Sequence, residues 1–362
     1  MQSLFEPLTF RSGVTTKNRV ALAPLTNQQS HDDGTLSDEE LAWLARRARG
    51  GFGLVSTCAA HVARDGQGFA GQLGAFDERH VPGLARVAAA ISAAGALAVA
   101  QLYHGGARSP SRLTGVQPVS ATAFSEERDG FEPPRAATSD ELPSFVDAFG
   151  QAAARVGRAG FHGVEIHGAH GYLLSQFLSA TMNTRADGWG GDLEGRARLI
   201  RAVARRVREE LPRPAIVGVR LSPEDYGLAK GLDVDETIEV AARLADDGVD
   251  YVHLSLWDGS RNTAKHPAEH AVSMLRRALP SEVRIVAAGG VWTPEDAASL
   301  LARGADIVAI GRAAILDPDW PEHAREPGFT PIRGPLSPEE LGARAVSPRF
   351  VEYLRRFKGI VA

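Results

Sequence analysis

The sequence predicts a single (β/α)8 TIM barrel, a closed parallel barrel of eight strands, spanning residues 1–362. Short β-rich runs alternate with longer amphipathic runs along the whole chain, and Gly, Pro or Asp separates most of them. The length of 362 residues falls within the ~200 to more than 400 residues that one such barrel occupies. A doubly wound open sheet uses the same alternation and is the structural alternative at this stage.

Eight runs are predicted as strands because they are rich in apolar and β-branched residues and are flanked by turn residues. Parallel neighbours need right-handed crossovers, usually helical, and closing the sheet removes its edges, so eight alternating units favour a barrel. The predicted strands are 18–25, 53–60, 97–104, 163–167, 215–222, 251–257, 284–289 and 307–311.

Two helix starts are marked by capping residues. Ser37, with Glu40 three residues later, predicts a capping box that opens the helix DEELAWLARRAR. Thr293, followed by Pro294 and Asp296, predicts the same device for PEDAASLLARG. Both helices are predicted to end at a glycine.

Two segments lie outside this alternation. Residues 109–140 are rich in Pro, Ser and charged residues and are long for a connection, which predicts either an active-site lid or a surface excursion. Residues 320–362 form a C-terminal extension. Its amphipathic, Arg-rich run PRFVEYLRRFKG leads to the hypothesis that the tail completes a partner's active site in a homodimer or higher homo-oligomer.

Composition excludes several classes of protein. The chain is 44% hydrophobic and 23% charged with a formal charge of −4, which gives no basic footprint for nucleic acid. Cys58 is the only cysteine, so internal disulfides, cysteine-ligated iron–sulfur clusters and four-cysteine zinc sites are excluded. The start, MQSLFEPLTF, lacks a signal-peptide pattern, and Ser92 and Gly95 interrupt the most apolar stretch, 87–102. We expect a cytoplasmic protein without a membrane partner.

The run GVEIHGAHGYLLSQFLS is the strongest candidate for a catalytic site. Val164 and Ile166 alternate with a polar residue as in a buried strand, and His167, His170 and Tyr172 follow where that strand ends. Polar side chains at the carboxyl end of a barrel strand are typical of catalysis. A His-x-x-His pair could instead bind a metal or be structural. Since no third-ligand pattern is evident, we predict no metal.

A second signal lies at the end of the barrel. The segments AAGGVWTPEDA at 287–297 and VAIGRAAI at 308–315 each run from a strand into glycine. Loops after strands seven and eight of such barrels often bind phosphate through backbone amides. Gly289, Gly290, Gly311 and Arg312 are therefore predicted to hold a phosphate, although the glycines alone are equally compatible with tight turns.

Six motifs, in this order, resemble those of the Old Yellow Enzyme family over residues 1–320. They are ALAPLTN at 21–27, QLYHGG at 101–106, EIHGAHGYLLSQFLS at 165–179, NTRADGWGGDLEGRARL at 183–199, VGVRLSP at 217–223 and AIGR at 309–312. The resemblance implies an FMN-dependent ene-reductase that uses NADH or NADPH. FMN would lie across the carboxyl face of the barrel, with its phosphate at the glycine loops.

The resemblance also assigns residues to FMN. Thr26 would hydrogen-bond the carbonyl edge of the flavin, Gln101 its pyrimidine edge, and Arg220 would place a positive charge by the N1 and C2 carbonyl edge. Pro24 and Leu25 belong to the same contact as Thr26, and Ala59 is the small residue that lets the ring lie flat.

On the substrate side, the resemblance implies that His167 and His170 bind the oxygen of a small, activated alkene and that Tyr172 donates a proton to it. The two substrates would use the site in turn, as in ping-pong kinetics. Gln28 stands where one branch of the family has Tyr, so it is assigned to substrate binding and to a change in substrate range.

Two other functions stay open from the sequence. A phosphate-binding aldolase or isomerase barrel would use a lysine inside the barrel mouth for Schiff-base chemistry, but none of Lys17, Lys230, Lys265 and Lys358 lies at the carboxyl end of a predicted strand. A non-catalytic flavin-binding protein is the other alternative. No motif identifies the physiological substrate or the choice between NADH and NADPH.

Overall fold

A computed structural model describes residues 2–127 and 129–362, apart from the side chain of Gln2. Eight parallel strands close into a barrel, which confirms the predicted fold and rules out the open sheet. Strand β8 pairs with β1, with Val308 opposite Val20, so the strands follow chain order around the barrel. The barrel strands are β1 (Val20–Leu22), β2 (Leu54–His61), β3 (Leu97–Tyr103), β4 (Gly163–Gly168), β5 (Ile216–Leu221), β6 (Tyr251–Ser255), β7 (Arg284–Ala288) and β8 (Ile307–Ile310).

A helix follows each strand and packs on the outside of the barrel, where apolar side chains of strands and helices form the main core. These helices are α1 (Asp38–Arg49), α2 (Val81–Ala93), α3 (Leu142–Arg158), α4 (Leu193–Glu210), α5 (Val234–Asp246), α6 (Ala271–Ala278), α7 (Pro294–Ala302) and α8 (Arg312–Leu316). Shorter helices are Ser111–Thr114, Leu173–Leu178, Trp320–His323, Pro338–Ala343 and Pro348–Leu354, and 3-10 turns are Gln2–Phe5, Arg64–Gly66, Glu78–His80, Gly106–Arg108 and Ser139–Glu141.

The two predicted caps differ in outcome. Thr293 and Asp296 form the full capping box at the start of α7. At α1 the hydroxyl of Ser37 accepts a hydrogen bond from the backbone N–H of Glu40, as predicted. The Glu40 carboxylate does not complete that box. It is buried and accepts hydrogen bonds from Ser30, Asn27 and Cys58 instead.

The amino-terminal residues close one end of the barrel. A two-stranded ribbon, Leu8–Thr9 with Thr15–Thr16, covers the amino ends of the strands. Leu8 and Phe10 from this ribbon pack with the inward-facing barrel residues into a second apolar core, in which the Phe10 ring lies 6.0 Å from that of Tyr251. With this end filled by side chains, the carboxyl end is the open one.

Both irregular segments contact other parts of the chain. In 109–140 the strands Val119–Ser120 and Arg135–Ala136 pair, and Arg185 donates hydrogen bonds to the carbonyls of Ala121 and Ala137. That the segment acts as a lid stays a prediction. Residues 320–362 fold back on their own chain, where the ring of Phe350 packs edge-on against Trp43 at 5.0 Å. Within the described residues, no helix has the length and apolar character needed to cross a bilayer.

Candidate active site

A cavity of about 430 Å³ opens at the carboxyl ends of the barrel strands. Most of its lining residues come from strand ends and from the loops that follow them, and the remainder come from the C-terminal extension. They are Pro24, Leu25, Thr26, Ala59, Phe69, Gln101, His167, His170, Tyr172, Arg220, Tyr226, Arg312, Ile315, Tyr353, Leu354, Phe357 and Ile360. The cavity therefore brings together ten of the fourteen residues predicted for the site.

The end of β4 supplies the two histidines and the tyrosine. His167 is the penultimate residue of the strand and points into the barrel. His170 and Gly171 then have positive φ angles of 62° and 72°, which turn the chain back over the barrel mouth. A side chain at Gly171 would bring its Cβ to 2.3 Å from the carbonyl oxygen of Leu228, so this turn requires glycine. Tyr172 follows and also faces the cavity.

A chain of hydrogen bonds fixes where the histidine protons are. The Nδ1 atom of His167 accepts a bond of 3.2 Å from the backbone N–H of Ala169, so a neutral His167 carries its proton on Nε2. This Nε2 lies 3.3 Å from Nδ1 of His170, which places the His170 proton on Nε2. The latter atom is 2.7 Å from the hydroxyl of Ser255.

Both histidines are neutral because burial and nearby positive charge hold their pKa values well below the usual 6.5. Burial makes the largest contribution in each case. For His167 the next contributions are repulsion by His170 and by Arg220, and for His170 the next is repulsion by Arg220. A neutral imidazole can donate one N–H to a substrate oxygen without contributing a full charge.

Tyr172 is a protonated phenol in an aromatic corner. Its ring meets those of Tyr103 at 4.5 Å and His167 at 5.1 Å, both nearly edge-on. Burial, followed by the effect of Tyr353, raises the pKa of Tyr172 above its usual value of 10. The hydroxyl therefore keeps its proton throughout the neutral range and is able to act as a donor.

The part of the cavity lining that follows β1 and β2 is mostly apolar. Pro24, Leu25 and Thr26 follow β1. On β2 the register with β3 shifts by one residue between Ser56 and Ala59, a bulge after which Ala59 lies opposite Gln101. Ala59 consequently faces the cavity, where a larger side chain would occupy the space of a flat ring.

Arg220 provides a buried positive charge at the end of β5. Its guanidinium donates a 3.0 Å hydrogen bond to Ser255, while its Nε atom is buried without a partner in the described part of the chain. Burial lowers the pKa of Arg220, and the attraction of Glu165 opposes that effect. The side chain is suited to an acceptor that enters the cavity, because an unsatisfied buried donor is costly.

The predicted phosphate loops follow the adjacent strands β7 and β8. Arg312 lines the cavity, whereas Gly289, Gly290 and Gly311 lie beyond its walls at the rim. At Gly290 φ is 67°, and a Cβ added there would meet open space. Arg312 and Arg333 both lie over the ring of Trp292, at 5.8 and 4.4 Å, so two cations flank these loops. Phosphate binding there stays a prediction.

Gln28 is not among the residues that line the cavity. It has a positive φ of 55°, and its carbonyl oxygen lies close to Gly71. The assignment of Gln28 to substrate binding therefore has no direct support in this geometry.

Sequence reasoning missed the contribution of the C-terminal extension to this chain's own cavity. Tyr353, Leu354, Phe357 and Ile360 form one wall, and the phenol of Tyr353 interacts with the side chain of Thr26. Of the described residues in 109–140, none lines the cavity. The amphipathic pattern of the tail indicated a buried face, but not which surface would cover it.

Ser255 was missed as well. Its hydroxyl bridges His170 and Arg220, which come from two other strands or their loops. A serine in the run YVHLS at the end of a predicted strand gives only a weak signal, because serine is common at strand ends.

Metal and lysine chemistry find no support at this cavity. In the part of the chain described, the grouping with metal-ligand spacing is Asp317, Asp319 and His323, outside the cavity lining, and its carboxylates already pair with His323 and Arg46. None of the four lysines lines the cavity. A Schiff-base reaction would require one there.

Comparisons with known proteins agree with this site. The model of a family described as NADH:flavin oxidoreductase / NADH oxidase matches residues 3–327. A probable NADH-dependent flavin oxidoreductase of Bacillus subtilis, YqiG, is 39% identical over 329 residues, covering 89% of this chain and 88% of the relative. NADH:acrylate oxidoreductase of Vibrio harveyi is 34% identical over 334 residues, which are 90% of this chain but 33% of that longer protein.

A solved structure extends the agreement to three dimensions. An old yellow enzyme homologue from Zymomonas mobilis superposes with a TM-score of 0.81 at 29% identity, covering 94% of this chain and 96% of that one. The cofactor of the family is FMN, and its reductant is NADH or NADPH. The chain belongs to the NADH:flavin oxidoreductase / NADH oxidase family, that of the Old Yellow Enzyme, and is an FMN-dependent NAD(P)H oxidoreductase.

Proposed function

We propose that this protein reduces the C=C bond of small α,β-unsaturated carbonyl or nitro compounds. The observation that carries the proposal is that His167, His170 and Tyr172 line the same cavity as the apolar residues Pro24, Leu25 and Ala59. A neutral histidine pair in which His167 can donate its Nε2–H, together with one protonated phenol at the same opening, suits such a reduction.

The residues present fit FMN. The apolar residues Pro24, Leu25 and Ala59 would lie against the ring, and Gln101 and Arg220 would meet its polar edge. The unsatisfied Nε of Arg220 is the observation that supports this fit. Gly289, Gly290, Gly311 and Arg312 would hold the phosphate at the rim. When bound, FMN supplies the hydride chemistry, taking a hydride from NADH or NADPH and delivering it to the β-carbon of the alkene.

His167 and His170 orient the alkene through its activating oxygen. The 3.3 Å separation of their facing nitrogens is longer than a typical hydrogen bond, so the Nε2–H of His167 is weakly held and free to turn toward a substrate oxygen. Negative charge grows on that oxygen once the β-carbon has received hydride. A single well-aimed donor to such charge typically contributes about 3 kcal/mol.

Tyr172 then transfers the proton of its hydroxyl to the α-carbon. The high pKa of Tyr172 keeps it protonated until the electron-rich α-carbon forms. Tyr353, from the C-terminal extension, adds an aromatic side chain to the cavity lining and reduces the access of water. Since one cavity serves both substrates, the reductant leaves before the alkene binds, and the kinetics are ping-pong.

The Vibrio harveyi relative is named as an oxidoreductase of acrylate, an alkene conjugated to a carboxyl group, and this is consistent with the proposed substrate class. This chain spans about a third of that protein. Schiff-base aldolase chemistry has no such support, since none of the four lysines lines the cavity.

The test is an anaerobic reaction of the FMN-loaded protein with NADPH or NADH, followed by 2-cyclohexenone. We expect the flavin absorbance to bleach with the reductant and to return with the enone. With deuterated nicotinamide the label should appear at the β-carbon, and in D2O at the α-carbon. A flavin that bleaches but is not reoxidised by enones or nitroalkenes contradicts the proposal, and one that never bleaches indicates a binding protein.

A further inference from the structure

Beneath the cavity, inside the barrel, lies a buried carboxylate that the proposed reaction does not use. Glu165 is two residues before His167 on β4, so both side chains point into the barrel. The residue is 1% exposed. A buried carboxylate is costly unless other groups compensate it, so its neighbours show what it does.

Three side chains hydrogen-bond Glu165. The amide Nε2 of Gln101 donates to Oε1 at 2.7 Å. Nδ1 of His253 lies 2.8 Å from Oε2, and the hydroxyl of Tyr251 donates to the same oxygen at 3.1 Å. Gln101 lies directly opposite Glu165 in the strand register, while Tyr251 and His253 reach across from β6.

The balance of charge in this region rests on Glu165 and Arg220. His253 is 1% exposed, and burial lowers its pKa, so it is neutral. Burial also opposes ionisation of Glu165, but its interaction with His253, the attraction of Arg220 and the hydrogen bond from Gln101 together hold the pKa of Glu165 below its usual value. Glu165 therefore holds a negative charge one step below Arg220, whose register partner on β4 is His167, two residues beyond Glu165.

We propose that Glu165 is a positioning residue for bound FMN. Its carboxylate offsets part of the charge of Arg220 and turns the carbonyl oxygen of Gln101 toward the cavity. The proposal rests on the assignment of Gln101 and Arg220 to FMN in the proposed function. Because the Gln101 amide nitrogen is committed to Glu165, the free end of that side chain is a hydrogen-bond acceptor, which suits an N–H of the flavin's pyrimidine edge.

The negative charge of Glu165 also affects the reduction potential of the bound flavin. Reduction of a flavin places negative charge on the edge that Arg220 would face, so an unopposed guanidinium would stabilise the reduced state. Glu165 weakens that effect and lowers the reduction potential of the bound flavin. A cofactor that must pass hydride to an alkene benefits, since too high a potential would leave it a poor reductant.

The deciding variant is Glu165→Gln, which removes the charge and keeps the size. The reduction potential of the flavin is measured in the FMN-loaded variant and in the FMN-loaded wild type by equilibration with a reference dye. At a fixed solution potential we expect the ratio of reduced to oxidised flavin to rise about tenfold, equivalent to about 30 mV for a two-electron couple. Tyr251→Phe is the matched control, because it removes a bond to the same carboxylate without changing charge, and should change the ratio less than twofold.

An unchanged ratio in Glu165→Gln, or an equal shift in Tyr251→Phe, would overturn the proposal. If Glu165→Gln does not fold, Glu165→Asp decides instead. It keeps the charge but withdraws from Gln101, so the ratio should stay within twofold while FMN binds severalfold more weakly. A ratio that changes more than twofold while the affinity for FMN stays the same would count against the proposal. A wild-type protein that holds FMN but fails with enones refutes only the proposed function, since the potentials remain measurable.

Discussion

The assignment of Tyr172 as proton donor makes a quantitative prediction for Tyr172→Phe. Phenylalanine preserves the edge-on contacts with Tyr103 and His167, so the variant should fold and bind FMN. Loss of a positioned general acid typically costs between 10²- and 10⁴-fold. A second phenol, Tyr353, lines the same cavity and can replace part of the lost function. We therefore expect the low end of the range, about 100-fold, or about 2.7 kcal/mol of transition-state stabilisation.

The assay separates the two halves of the reaction. In anaerobic stopped-flow experiments, bleaching of the flavin by NADH or NADPH should change less than about twofold, because that step needs no proton from Tyr172. Formation of cyclohexanone from 2-cyclohexenone should fall about 100-fold. Tyr103→Phe is the matched control, since it removes a neighbouring buried hydroxyl and leaves the phenol of Tyr172 in place. Equal losses in both variants, or normal product formation in Tyr172→Phe, would refute the assignment.

Three further predictions concern the cavity wall, the barrel and its response to acid. Tyr353→Ala should raise KM for 2-cyclohexenone about two- to tenfold, since an aromatic contact is worth ~0.5–1.5 kcal/mol. It should change kcat little, because Tyr172 is still present as the proton donor; a loss confined to kcat would contradict the prediction. Gly218→Ala should lower the free energy of unfolding in urea by about 1–3 kcal/mol or more, because its Cβ would lie 2.0 Å from the Tyr251 ring; unchanged stability would show that the ring can move. Burial lowers the pKa of His61 from 6.5 to about 4, so the folded state binds fewer protons than the unfolded state between these pH values. The free energy of unfolding should therefore fall by about 3 kcal/mol as the pH is lowered from 6.5 toward 4. Urea titrations at several pH values should show a shallower decline in His61→Gln, and an identical decline would refute the origin assigned to it.

The strands could be predicted because each forms a barrel wall that is buried on both faces. Such strands read as continuous apolar runs, and the polar side chains that interrupt them stand out at their carboxyl ends. His167, Gln101 and Arg220 could be assigned to one rim for this reason, since the topology brings all carboxyl ends together. The spatial order of these residues follows from chain order alone.

What the sequence could not predict depends on contacts between distant segments. Glu40 has the spacing of a capping box, yet its carboxylate turns inward, where Ser30 and Cys58 offer buried donors. The bulge that aims Ala59 into the cavity depends on the pairing of β2 with β3, not on residue type. Ser255 likewise acquires its role only once β4, β5 and β6 lie side by side.

The position of the tail bears on how the cavity is completed. The C-terminal helix is fixed to its own chain from several directions, since the backbone of Ser347 donates to Gln29, Arg349 pairs with Asp32 at 2.7 Å, and Phe350 packs on Trp43. Transferring this helix to a partner would break all of these contacts and expose the Phe350 ring, which is fully buried. An exchange between subunits would have to restore them symmetrically. The contacts therefore favour a cavity that each chain lines with its own tail.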